Sequence, residues 1–229
     1  MKLLFDNAVF QYKPYPIGLA KPLLDDESYL ALVESFPPVE LLPHWGGGKK
    51  NTEVLAYNKF ALNETKVAFH EYLAEHPAWW AFHNSIKKLE FIEFILGMLK
   101  ARGIVVAPSP KWTSRFEFAM MPADGGLIAP HTDISSKAVT LIFSMMKPGE
   151  WKPKWGGGTD VLIPLDPDQP LASYKVPLDQ FKKVSSYAYT PNQCVIFIKT
   201  GNSWHSVGPM TGPAGPMRRT ITLNIERAE

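Results

Sequence analysis

From Trp112 onward the chain is a succession of short apolar or alternating runs separated by turns, with no helical period between them. Arg115-Phe116-Glu117-Phe118-Ala119-Met120 alternates, so its side chains divide between the two faces of a strand. Ala138-Val139-Thr140-Leu141-Ile142-Phe143 and Cys194-Val195-Ile196-Phe197-Ile198 are nearly unbroken apolar runs, as buried strands require. Thr220-Ile221-Thr222-Leu223-Asn224-Ile225 alternates again. Trp155-Gly156-Gly157-Gly158 reads as a glycine turn opening into a strand at 159–163. A proline-bearing insertion follows at 164–187, and the next strand is expected to begin at Tyr187 through Tyr189. Short strands joined without helices close into a sandwich or a jelly roll.

The first hundred residues follow other periods. Residues 1–20 suggest a short strand or two with proline turns. Residues 24–36 predict a helix with Asp25 and Asp26 at its start and an apolar stripe of Leu30, Val33 and Phe36, ended by Pro37-Pro38. Residues 37–60 read as irregular. Within them Trp45-Gly46-Gly47-Gly48-Lys49-Lys50 lacks the glycine spacing and the following Ser or Thr of a phosphate loop, and is read as a surface loop and a candidate lid. Two helices are expected over 63–75 and 77–102. Asn63 opens the first, Pro77 sits in the first turn of the second, and Gly103 stops it. Trp80, His83, Ile86, Leu89, Ile92, Leu96 and Leu99 recur at helical spacing, and Trp79 and Trp80 read as packing more readily than as a substrate platform. The expected class is mainly β with helices (α+β). A single domain is expected over 1–229, with a mostly helical support at 1–105 and a jelly-roll core at 106–229.

Composition narrows the partners. The net charge of +2 gives no electrostatic argument for nucleic acid. One cysteine excludes an internal disulfide and fits a reducing compartment. No signal-peptide core opens the sequence, and no run approaches the ~18 apolar residues of a membrane span. A cytoplasmic protein without a membrane partner is the expectation.

The chemistry is concentrated in His131-Thr132-Asp133, His205 and Arg218-Arg219. Side chains two apart on a strand share a face, so His131 and Asp133 are expected to reach one metal, with His205 arriving from another strand. Two imidazoles and one carboxylate form the facial set that leaves positions open on a non-haem iron. A lone His-x-Asp is often only a capped turn, but here every candidate ligand lies on or beside a predicted strand. Arg218 adds an always-charged fork for a carboxylate.

Four elements in order carry a resemblance: Pro130-His131-Thr132-Asp133, then Val139 through Phe143, then Trp155 through Leu162, then Trp204-His205-Ser206-Val207 with Arg218-Arg219-Thr220-Ile221-Thr222. Over residues 112–226 the chain resembles the Fe(II)- and 2-oxoglutarate-dependent dioxygenases, and within them the prolyl 4-hydroxylase-like branch. The resemblance implies a double-stranded β-helix with helices on one face. It implies His131, Asp133 and His205 as iron ligands, and a hydroxylation coupled to decarboxylation of 2-oxoglutarate to succinate and CO2. It further implies O2 as co-substrate and ascorbate as a candidate reductant. Arg218 would hold the distal carboxylate of 2-oxoglutarate in an Arg-x-Thr pattern with Thr220, leaving Arg219 as a solvated charge. Thr140 and Ser144 would line the same pocket, Ser144 replacing a tyrosine common in that branch. Lys137 falls near a position that is often basic.

Two other readings fit the strands. A cupin-like metal-dependent isomerase or hydrolase would use the histidines but give Arg218 no role, and a jelly-roll binding module would need no metal. The substrate carries no motif. A peptidyl residue, a free amino acid, a metabolite or a sugar are all compatible, as is any oligomeric state. Loops 43–52 and 164–187 are candidate lids, with Trp112, Arg115 and Trp204 candidates for the mouth.

Overall fold

The computed structural model describes residues 2–46, 57–172 and 176–228. Its elements are β1 (Val9–Gln11), β2 (Ile17–Ala20), α1 (Asp26–Glu34), β3 (His44–Gly46), β4 (Tyr57–Asn63), α2 (Val67–Glu75), α3 (Pro77–Lys87) and α4 (Leu89–Ala101). They continue as β5 (Lys111–Pro122), β6 (Leu127–His131), β7 (Lys137–Ser144), β8 (Thr159–Pro164), β9 (Phe181–Tyr187), β10 (Cys194–Ile198), β11 (His205–Val207) and β12 (Met217–Ala228). The strands form one antiparallel sheet in the order β1-β2-β10-β7-β12-β5-β4-β6-β11-β8-β9, with β3 on β4. Curled on itself, the sheet is a jelly roll, a double-stranded β-helix.

Alternation sets the two faces of the middle strands. On β12, Ile221, Leu223 and Ile225 are fully buried against the helices, as are Leu141 and Phe143 of β7 and Phe116 and Phe118 of β5. They join Tyr29, Leu32, Phe69, Trp79, Phe82, Ile95 and Leu99 of the helices in one core. The opposite face of β12 carries Arg218, Thr220, Thr222 and Asn224 toward the interior of the roll.

Several expectations change. α1 is capped by Asp25, whose side chain accepts from Ser28 N at 2.8 Å, and it buries Tyr29, Leu32 and Val33, while Leu30 is exposed. The predicted second long helix breaks at Lys88, whose ψ of 148° is extended. Its first half, α3, keeps Ile86 buried as expected but buries Trp79 and Phe82 and exposes Trp80, a rotation of one residue from the stripe expected at Trp80 and His83. Adjacent tryptophans leave that rotation ambiguous in sequence. Asn63 ends β4 and turns the chain through Thr65 N at 3.1 Å, so α2 starts only at Val67. Gly103 follows α4 at φ +71°, as a helix stop requires.

β4 lies where irregular chain was expected. It pairs with β5 and β6, both far downstream, and its mixed sequence carries no alternation of its own. The 164–187 insertion holds β9, which ends at Tyr187, where a strand had been expected to begin. Residues 47–52 of the first candidate lid lie outside the described residues.

Candidate metal centre

His131 closes β6 and His205 opens β11, and the two are direct cross-strand partners. Their rings lie 4.1 Å apart, centroid to centroid. Asp133 follows the end of β6 in the left-handed region, at φ +66°. This corrects the geometry expected from strand alternation: the carboxylate is turned inward by a bend past the strand end. Asp133 Oδ1 lies 3.6 Å from His131 Nε2, and Oδ2 lies 3.9 Å from His205 Nε2. One donor atom from each of the three residues falls within 4.8 Å of the others. A metal with bonds of about 2.1 Å at right angles sets its donors about 3 Å apart, so a small inward shift of side chains suffices.

Both imidazoles are oriented for a metal. His131 Nδ1 is 2.9 Å from Ala129 O, and His205 Nδ1 is 2.9 Å from Ser203 O. A carbonyl accepts only, so each Nδ1 carries the hydrogen and each Nε2 presents a lone pair. Burial lowers the pKa of His205, and burial with the neighbouring His205 lowers that of His131 to about 3. Burial alone would raise the Asp133 carboxyl. His205, Lys137 and His131 outweigh it and hold Asp133 well below the usual carboxylate range.

The carboxylate is held at both oxygens. Lys137 Nζ donates to Oδ1 at 2.5 Å. Thr140 Oγ1 lies 3.1 Å from Asp133 Oδ2 and 3.1 Å from Asn224 Oδ1. One hydroxyl hydrogen cannot serve two acceptors. Donation to the carboxylate is the stronger bond, which requires the Asn224 amide to turn its nitrogen to Thr140.

These groups line a cavity of about 450 Å³. Its wall includes His131, Asp133, Lys137, Thr140, Thr222, Asn224 and His205, with Trp45, Tyr57, Lys59, Arg115 and Glu117 from β3, β4 and β5. Trp204 instead packs on Phe181, centroids 4.8 Å apart, and Trp112 packs beside the helices. No described residue of 164–187 lines the cavity.

Arg218 continues the inward row of β12 beyond the cavity wall and is 4 % exposed. Its Nε donates to Gly157 O at 2.6 Å, two residues from the cavity-lining Thr159, and its guanidinium lies 4.9 Å from the centre of the Tyr189 ring. No carboxylate pairs with it among the described residues, and both terminal nitrogens lack partners there. Burial pulls its pKa down to about 10. Thr220 and Ser144 are buried register partners nearby, and neither lines the cavity. Arg219 faces the other way. It is not the solvated charge expected: its guanidinium pairs with Glu150 and donates to Val33 O at 3.4 Å, tying α1 to the sheet. Tyr189, the Gly157 carbonyl and Lys137's grip on Asp133 had no sequence signal beyond a tyrosine, a glycine turn and a nearby lysine.

A prolyl 4-hydroxylase from Pseudomonas putida superposes with a TM-score of 0.54 at 15% identity, over 98% of this chain and 97% of that one. The chain has the prolyl 4-hydroxylase fold. A Trichoplax adhaerens prolyl hydroxylase, solved with a peptide from hypoxia inducible factor, gives 0.53 at 16% identity over 92% and 83%. The non-heme alpha ketoglutarate dependent epimerase SnoN from nogalamycin biosynthesis gives 0.51 at 16% over 98% and 81%. No family model and no curated protein matches the sequence. The prolyl 4-hydroxylase fold therefore rests on the course of the backbone. It hosts an epimerase as well as hydroxylases, so the reaction must be argued from the site.

Proposed function

We propose that the protein is a non-haem Fe(II)- and 2-oxoglutarate-dependent oxygenase that hydroxylates its substrate. The observation that carries this reading is a His131-Asp133-His205 set opening into a cavity, with a buried guanidinium on the inward face of the same roll that pairs with no carboxylate among the described residues. A buried cation without a counter-charge is costly, and a dicarboxylate that reaches from the metal to Arg218 removes that cost. The donor set fits iron: two neutral imidazoles with fixed tautomers and one carboxylate leave three positions free. Bound iron with 2-oxoglutarate and O2 would supply the oxidising chemistry, coupled to release of succinate and CO2.

The chain's own residues perform the positioning. Ala129 O and Ser203 O hold the imidazoles, and Lys137 and Thr140 hold the carboxylate against rotation. Tyr189 and Gly157 O fix the plane of the Arg218 fork, leaving its two terminal nitrogens for a bidentate bond. Ile128, Ile142 and Val207 keep the wall beside the metal apolar. A cupin-like isomerase or a binding module leaves the buried Arg218 without a purpose.

Anaerobic addition of Fe(II) and 2-oxoglutarate is expected to give a weak visible charge-transfer band at roughly 500 nm. His131→Ala removes it by losing the metal, and Arg218→Ala weakens it by losing the co-substrate. Iron binding with no band would sink this reading in favour of the cupin-like one.

A further inference from the structure

Resting on the reading above, we infer that the primary substrate is a small molecule with a free carboxylate, held by Lys137 and Arg115 at the end of the cavity opposite Arg218. Arg115 is the register partner of Asn224 on β12, and Asn224 in turn pairs with Thr140 on β7. Lys137, three residues before Thr140, is opposite Glu226. The two cations therefore flank β12 at one end of the inward row, and Arg218 stands six residues away at the other. Six residues of strand are about 20 Å. One small dicarboxylate on the metal cannot satisfy both ends.

Neither cation is fully committed. Arg115 gives Nε and one terminal nitrogen to a single oxygen, Glu226 Oε1, at 3.1 and 2.9 Å. Its other terminal nitrogen has no partner among the described residues. Lys137 has one side-chain partner, Asp133 Oδ1. An ammonium has three donors, so two remain for a second carboxylate while Lys137 keeps its hold on Asp133. The third cation of the wall, Lys59, is already paired with Glu117 at 2.8 Å.

Charge balance points the same way. Among the described residues, Lys59, Arg115, Lys137, Lys199 and Arg218 face Glu117, Asp133 and Glu226 in and around the cavity. The histidines are neutral. A divalent metal and a doubly charged 2-oxoglutarate then leave these groups with a net positive charge in a partly enclosed space. A monocarboxylate reduces it, and a neutral peptide segment does not. A carboxylate on Lys137 also lies beside Asp133, which brings the carbons next to it close to the metal.

The test uses full-length protein loaded with Zn(II), which is redox-inert, and 2-oxoglutarate. The probes are a set of aliphatic and aryl monocarboxylates of four to ten carbons and their primary amides. Saturation-transfer NMR reads their binding. Acids are expected to bind at least tenfold more tightly than the matched amides. Arg115→Met should abolish that preference while leaving the Fe(II) charge-transfer band with 2-oxoglutarate unchanged, and Lys137→Met should abolish it as well. Amides binding as well as acids, no acid binding at millimolar concentration, or a preference that survives Arg115→Met would each overturn the assignment. If Arg115→Met or Lys137→Met weakens the 2-oxoglutarate band and Arg218→Met does not, the clamp belongs to the co-substrate. That outcome overturns this inference and relocates the co-substrate in the proposed function, whereas loss of the band in Arg218→Met alone leaves the proposed function intact.

Discussion

Arg218 is the residue whose surroundings say most about ligands. Replacing a buried, unpaired charge by an apolar side chain of similar length is often neutral or stabilising. Arg218→Met should therefore melt at the same temperature as the parent or higher when no ligand is present. The parent should gain stability with Fe(II) and 2-oxoglutarate by mass action, and the variant should gain much less. Differential scanning fluorimetry in the four conditions checks both halves. The histidines make a second prediction. His131 has a folded pKa of about 3 against an ordinary 6.5, and His205 moves in the same direction. The unfolded chain then binds more protons, so stability is fully present above about pH 6.5 and falls as the pH drops below it. Urea titrations of the metal-free protein at pH 7.5, 6.5 and 5.5 should show that decline, and His131→Gln should flatten it. The cluster of His131, Asp133 and His205 was legible in the sequence because their types and order suffice to propose a metal. Their geometry was not: alternation placed Asp133 on a strand, whereas a left-handed turn aims it.

At the level of elements, the glycine turn before β8 does two jobs. Gly157 has φ +86°, and a Cβ there would lie 3.1 Å from Met210 Sδ, 3.2 Å from Arg218 Cδ and 3.3 Å from Trp151 Cζ2. Its carbonyl holds Arg218. Gly157→Ala should cost about 1–3 kcal/mol from backbone strain, read by urea unfolding, and weaken 2-oxoglutarate binding beyond what the stability loss explains. Strands such as β7, β10 and β12 were legible because their apolar residues are continuous or strictly alternating. β4 was not, since Tyr57-Asn58-Lys59-Phe60 is mixed and its neighbours β5 and β6 are remote in sequence. The break at Lys88 was hidden for a related reason: apolar residues continue at helical spacing through it, and only the extended backbone ends α3.

Across the whole molecule, the sheet separates what stabilises from what reacts. Trp79 is fully buried in the helical layer, 4.8 Å from Phe118 and 5.7 Å from Phe36, and its Nε1 donates to Ser35 O. Trp79→Ala should cost about 3–5 kcal/mol in chemical denaturation. Because the proposed metal ligands lie on the other face, Fe(II) affinity of the variant that remains folded should change less than threefold. A large loss of iron binding at full folding would show that the two faces are coupled. The placement of β4 also has a consequence for synthesis. β3 pairs with one edge of β4 and precedes it, but β5 and β6, which pair with the other edge, are translated after it, the second ending roughly 70 residues later. At about 5–20 residues per second, β4 leaves the ribosome several seconds before either of these two, with that edge bare. During that interval the nascent chain offers an open strand edge for pairing, and a trigger-factor-like chaperone or a slowed codon tract would act on the yield of this protein there.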